Sequence, residues 1–155
     1  MDRHLVLDTG PLGIATKPPD RPDAIACVSW LDRLTATGWS IILPEIADYE
    51  LRRQLLLNGN GPAVRRLNLF GQAVRFEWID RPTMRKAAQF WADVRRVGRP
   101  TADRHALDGD CILAAQASLI AERHGSDQVI IATTNVGHLG RFAGIEARYW
   151  ERIGP

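Results

Sequence analysis

The sequence predicts an α/β fold built on a mainly parallel sheet with helices on both faces. Three observations predict it. Short apolar runs, clearest at residues 4–7 and 128–133, alternate with longer stretches of helical periodicity. Glycine and proline fall between the segments, at Gly10-Pro11, Gly38, residues 58–62 and Gly98-Arg99-Pro100. The 155-residue chain has no internal repeat, no low-complexity tract and no composition shift, so it reads as one domain over 1–155.

The elements follow in order. Residues 4–7 form a buried strand that stops in a turn at Asp8-Thr9-Gly10-Pro11. Residues 17–23, with three prolines, are a loop. Asp23 caps a helix over 24–37 that carries Ile25, Val28, Leu31 and Leu34 on one face, and Gly38 ends it. Residues 39–43 are the second strand. Pro44 opens a helix to about residue 57, since proline is tolerated in a first turn. A loop at 58–62 leads to a helix ending near residue 73, then a short strand over 75–79. Pro82 starts a helix to about residue 97, which Gly98-Arg99-Pro100 breaks. Asp108 or Asp110 starts an alanine-rich helix that ends near His124-Gly125. Residues 128–133 are a strand rich in β-branched side chains, followed by a short helix over 136–142 and a closing strand over 147–150.

Composition narrows the class. Hydrophobic residues make up 45% and charged residues 25%, ordinary for a soluble globular protein. No segment approaches the roughly 20 apolar residues that span a bilayer. The apolar run after Met1-Asp2-Arg3-His4 is too short for a signal-peptide core, so the sequence predicts a cytoplasmic protein without a membrane segment. Cys27 and Cys111 have no metal-ligand spacing and read as free core thiols. The net charge of +2 says little, but the cations are nearly all arginine and cluster at Arg52-Arg53, Arg65-Arg66, Arg85-Lys86 and Arg95-Arg96-Arg99. Such clusters suit phosphate, or are solvated helix faces; nucleic acid is permitted, not demonstrated. Trp30, Trp39, Trp78, Trp91 and Trp150 are core residues, or in part an interface.

Acidic residues carry the functional signal. Ligands of open α/β sheets bind beyond the carboxyl ends of the strands. Asp8 ends the first strand, and Asn135 follows the 128–133 strand, so both belong to that edge. Asp8 either makes a side-chain turn or is a carboxylate held in a partly buried crevice. In the helix from Pro44, the residues Ile46, Ala47, Leu51, Leu55 and Leu57 span an arc of about 180°. Glu50 falls inside the arc, Asp48 just past its edge, and Glu45 well outside as a helix N-terminal charge. Glu50 therefore points inward, to a ligand or to an arginine. In the later helix, Asp110 shares a face with Ala114, Ala117 and Ala121, small residues that let the helix approach the sheet. Asp108 reads as an N-cap, a role also open to Asp110. A convergence of Asp8, Glu50 and Asp110 repels itself without a cation, and oxygen-only ligands suit Mg2+ or Mn2+. Zinc is disfavoured, because His4, His105, His124 and His138 show no ligand spacing and read as surface or core residues.

These same residues carry a resemblance. Val6-Leu7-Asp8-Thr9-Gly10 resembles the opening of PIN domains, a strand ending in Asp followed by Thr or Ser. Pro44-Glu45-Ile46-Ala47-Asp48-Tyr49-Glu50-Leu51-Arg52 resembles the helix bearing the second acid, at Glu50. Residues 110–117 resemble the helix bearing the third, and Ile131-Ala132-Thr133-Thr134-Asn135-Val136 resembles the last motif. Order and spacing match over nearly the whole chain. The resemblance implies a three-layer α/β/α sandwich, a divalent metal and phosphodiester hydrolysis. In VapC-type members it implies RNA cleavage, homodimers and inhibition by a VapB-type antitoxin. One departure stands out: Asn135 lies where many members carry a fourth Asp. Asparagine still offers an oxygen but no charge, and Asp108 is a candidate to replace that charge. Asn135 is also a candidate cap for the next helix.

The resulting expectation is a metal-dependent ribonuclease. Asp8, Glu50 and Asp110 hold the ion, partly through water, with Asn135 at the fourth position. Thr9 and Thr133 donate hydrogen bonds, and Arg52 or Arg141 guides the RNA backbone. A phosphotransferase using Asp8 as nucleophile fits less well. Dehalogenase-type phosphatases need a second Asp where Gly10 stands, and receiver domains need a lysine that Thr133-Thr134-Asn135 does not offer. A second alternative is a catalytically weak or inactive PIN-like module that only binds RNA or protein.

Overall fold

The computed structural model describes residues 1–98, 104–125 and 127–155, and, within them, all side chains but those of 104–106. Arg99, Pro100 and the His105 side chain, named above, lie outside the described residues. Five strands form one parallel sheet: β1 (Arg3–Leu7), β2 (Trp39–Pro44), β3 (Arg75–Glu77), β4 (Gln128–Thr133) and β5 (Ala147–Tyr149), in the order β3-β2-β1-β4-β5. Among the described residues the helices are α1 (Thr9–Ala15), α2 (Pro22–Ala36), α3 (Glu45–Leu57), α4 (Gly61–Ala73), α5 (Arg81–Arg96), α6 (Arg104–His124) and α7 (Val136–Leu139), with a 3-10 turn over Trp150–Arg152. None of the described helices is long and apolar enough to cross a membrane.

The apolar runs are continuous because the central strands are covered on both faces. Successive side chains go to opposite sides. Leu5, Leu7, Ile130 and Ala132 pack with Trp30, Leu31, Leu34 and Trp150 on the α2 side. Val6, Ile42 and Ile131 pack with Leu113, Ala114, Ala117 and Ile120 of α6 and with Phe90 of α5 on the other. A third cluster joins Leu43 to Leu12, Ala47 and Leu67. Each fully buried Leu or Ile contributes about 1.5–3 kcal/mol, which is why β1 and β4, buried almost throughout, anchor the sheet. Cys27 and Cys111 are free and buried, and burial pushes both thiols up to about 12. Trp30, Trp39 and Trp150 are core residues, whereas Trp78 and Trp91 are exposed.

Several boundaries differ from the sequence reading. The expected turn after Asp8 is helix α1, with Asp8 as its N-cap and Pro11 and Leu12 buried. Pro11 sits in the first turn, where its missing N–H costs nothing. Helix α2 starts at Pro22, after Arg21. Asp23 is therefore not its cap but lies in the first turn, ion-paired with Lys17, which holds its carboxyl below the usual range. The α4 helix takes in Gly61 and Pro62, assigned to the loop. Asp80 caps α5, its Oδ1 accepting from the Thr83 N–H at 2.9 Å. Leu57, placed on the inward arc of α3, is exposed.

Helix α6 begins by Arg104, so neither Asp108 nor Asp110 is its cap. Both lie inside the helix. Helix α7 ends at Leu139 and leaves Phe142 in the following loop.

Candidate active site

The crevice lies beyond the carboxyl ends of β1 and β4. The β1–β4 register pairs Leu7 with Ala132, and the Asp8 N–H donates to the Ala132 carbonyl at 2.9 Å. Asp8 and Thr133 are thereby set side by side. One Asp8 oxygen accepts from the Thr9 N–H at 2.7 Å, the other from the Thr133 hydroxyl at 2.7 Å. Thr133 is fully buried, and its hydroxyl in turn accepts from the Asn135 N–H at 2.9 Å. The carboxylate that opens α1 is thus both a helix cap and a fixed acceptor at the crevice wall.

Glu50 reaches the same place from α3. Its Oε2 accepts from the Thr9 hydroxyl at 2.7 Å. Its Oε1 lies directly over Gly109 of α6, where an added Cβ would come within 2.1 Å of it. Gly10 makes a similar close approach, since a Cβ there would meet Thr134 Oγ1 at 2.4 Å. Two glycines therefore let α1 and α6 close around the acids. Glu45 is in the first turn of α3, as expected for a dipole-complementing charge, and also accepts from the Ile79 N–H at 2.5 Å.

Asp110 faces the crevice from α6. Arg141 Nη2 donates to its Oδ2 at 3.1 Å, and His138 Nδ1 lies 3.7 Å from the same oxygen. Burial, then the Asp8 charge, pushes the Asp110 carboxyl up to about 6 against the pull of Arg141 and His138. That balance has a measurable consequence. Below about 3.8 the group is protonated, native or unfolded; between 3.8 and about 6 the unfolded chain ionises first; above about 6 the full cost of a buried carboxylate is present. Asp110→Asn is therefore expected to raise the stability of metal-free protein at pH 7.5 by about 1–2 kcal/mol, an effect that fades toward pH 4. Thermal melts at the two pH values with a chelator present test it, and a pH-independent change would contradict it.

The other named residues fall differently. Asp108 is exposed and faces α5 beside Met84, Trp91 and Cys111. Two residues from Asp110 means about 200° of helix rotation, so Asp108 does not replace a missing crevice carboxylate. Asn135 occupies the N-cap position of α7 but makes no side-chain cap bond, and it is exposed at the crevice rim. Arg52 is committed elsewhere. It forms a two-bond pair with Asp48 at 2.9 Å and donates to Asn68 Oδ1 at 2.8 Å, tying α3 to α4. Of the two arginines named from the sequence, Arg141 is the one at the acids. The sequence reading missed His138, Gly109 and Thr134. A position just past the strand bearing Thr133 was the available signal for His138.

The donor chemistry fits a hard dication. The acids offer oxygens only, and Asp8 and Asp110 raise each other's energy when both are ionised. Among the described residues, the three ligating side chains whose donor atoms all lie within 4.8 Å of one another are His4, His124 and Asp127, at the opposite edge of the sheet. The crevice acids are spaced more widely, which suits an ion that keeps part of its water.

The chain matches no protein-family model and no curated protein. Solved structures do match. A chain of VapBC2 from Rickettsia felis, solved bound to a DNA fragment from their promoter, superposes with a TM-score of 0.71 at 15% identity, over 95% of this chain and 98% of that one. VapBC-1 from nontypeable Haemophilus influenzae gives 0.67 at 17% identity, over 96% and 99%. FitAB bound to an IR36 DNA fragment gives 0.67 at 21% identity, over 97% and 98%. The likeness is one of fold, and it bears out the PIN-like α/β/α sandwich that the sequence resembles.

Proposed function

We propose that this chain is an Mg2+- or Mn2+-dependent endoribonuclease, a VapC-type toxin acting in the cytoplasm as a single PIN-like domain. The observation that carries the reading is the convergence of Asp8 from the N-cap of α1, Glu50 from α3 and Asp110 from α6 on one crevice, with Asp110 raised to about 6 by burial and by Asp8. Three acids gathered at this edge against the single guanidinium of Arg141 make a site short of positive charge. Asp8, Glu50 and Asp110 would hold the dication, with the Asn135 oxygen available at the rim. When bound, it would lower the pKa of a water and offset charge on the phosphate. Thr133 and Thr9 hold the Asp8 and Glu50 carboxylates in place through their hydroxyls. Arg141, whose Nε is buried without a hydrogen-bond partner, has donors left for a phosphodiester oxygen. His138 lies on the same side, its Nδ1 3.7 Å from Asp110 Oδ2.

The fold likeness to VapBC and FitAB chains and two apolar surfaces support a reading of the partners. A groove of about 500 Å³ lined by Ala15, Ile25, Val28, Leu69 and Phe70 offers a seat for a VapB-type antitoxin. The exposed Met84, Trp91 and Val97 on and after α5 suit a homodimer.

Total RNA incubated with the purified chain tests the reading. Cleavage is expected with Mn2+ and none with EDTA. A folded, antitoxin-free sample that leaves RNA intact at all Mn2+ concentrations would favour the second reading, a weak or inactive PIN-like module that binds RNA or protein. Asn135, which adds no charge, and the Arg141 contact that occupies Asp110 are the features on its side.

A further inference from the structure

The amino edge of the sheet gathers a second set of ligating side chains. His4 lies near the start of β1, His124 closes α6 and Asp127 precedes β4. The β1–β4 register, with His4 opposite Val129, brings together residues 123 apart in sequence. Asp127 Oδ2 lies 3.3 Å from His4 Nε2 and 3.6 Å from His124 Nδ1. The longer distance is outside hydrogen-bond range. Metal–nitrogen bonds of about 2.0–2.1 Å and metal–oxygen bonds of about 2.0–2.2 Å give a tetrahedron with edges of about 3.3–3.5 Å. The two observed spacings bracket that edge.

Two other features point the same way. His4 is 3% exposed, and its Nδ1 has no hydrogen-bond partner, so the ring is fixed by packing with Asp127 as its side-chain partner. Asp127 Oδ1 accepts from the Asp2 N–H at 3.0 Å, which aims Oδ2 at the two rings. The His124 side chain is 28% exposed and that of Asp127 15%, leaving a path from solvent and room for a water as fourth ligand.

We propose that His4, His124 and Asp127 form a binding site for a borderline first-row dication, with Zn2+ as its probe, separate from the crevice of Asp8, Glu50 and Asp110. Imidazole nitrogen suits Zn2+ or Co2+ and disfavours Mg2+. Ligation through His124 Nδ1 leaves the proton on Nε2, so the Arg75 guanidinium now 3.3 Å from Nε2 must swing away. Arg75 is exposed and free to do so. The site lies about 13 Å along β1 from Asp8, and it would clip the first strand, the end of α6 and the entry to β4 together.

The test uses chelator-stripped full chain carrying Asp8→Asn, which removes a crevice donor. Calorimetric titration is expected to show one Zn2+ per chain, unaffected by a large excess of Mg2+. Tm should rise by at least about 4 °C at saturation. Partners behind a ligand are worth about 10–100-fold in affinity, so losing a ligand in His124→Ala should weaken binding at least about a hundredfold. Asp127→Asn should do the same and serves if His124→Ala misfolds by circular dichroism. Co2+ gives an independent readout, a tetrahedral absorption spectrum that vanishes in either variant. Zn2+ affinity undiminished in folded variants, or no Zn2+ uptake by the folded parent, overturns the proposal.

Discussion

Asp8→Asn is expected to fold normally and to lose at least about 10³-fold of the metal-dependent RNA cleavage, about 4 kcal/mol of transition-state stabilisation. The fold should tolerate the change because asparagine is as good an N-cap as aspartate. Its oxygen can still accept from the Thr9 N–H, now bonded at 2.7 Å. The Thr133 hydroxyl, now a donor to Asp8, would turn to accept from the new amide while keeping the Asn135 N–H, since a hydroxyl accepts twice. A stability change of about 1 kcal/mol is all that this exchange implies. The charge, by contrast, is gone, and with it the acid whose field reaches Asp110. Cleavage rates with Mn2+ beside a thermal melt separate the two effects. A folded variant that cuts RNA at the parent rate would remove Asp8 from the chemistry.

Much of this site was legible because its signals are local. An apolar strand ending in Asp8, an acid inside the apolar arc of α3 and small residues in register with Asp110 each follow from helix or strand period alone. Beyond that, the parallel sheet needed only the alternation of elements. What escaped depends on tertiary partners. Helix α1 holds two glycines and a proline in seven residues, Thr9–Ala15, a composition that reads as a turn. It is helical because Pro11 and Leu12 are buried and because Gly10 allows contact with Thr134. Asp108 looked like a cap because it precedes the apolar run, whereas α6 starts before it. The His4–His124–Asp127 cluster has no sequence spacing at all; the β1–β4 register creates it.

Gly109→Ala should uncouple stability from activity. Gly109 is inside α6, where alanine is favoured by about 0.5–1 kcal/mol. The new Cβ would meet Glu50 Oε1 at 2.1 Å and Cδ at 3.3 Å, separations that real Cβ atoms do not keep at the shorter end. The obstacle is the tip of a flexible side chain, so Glu50 moves and the backbone stays. Moving it breaks the 2.7 Å bond to the Thr9 hydroxyl, which costs about 1 kcal/mol and offsets the helix gain. Tm should therefore shift by no more than about 3 °C. Activity has no such offset. An ångström-scale displacement of a group that positions the reacting centre costs about 10²-fold in rate, and Glu50 must move by about that much. Cleavage assays and melts on one preparation decide the matter. A hundredfold loss at unchanged Tm places Glu50 in the chemistry. Parent-level cleavage would mean that its position over Gly109 is packing only, and that Asp8 and Asp110 act without it.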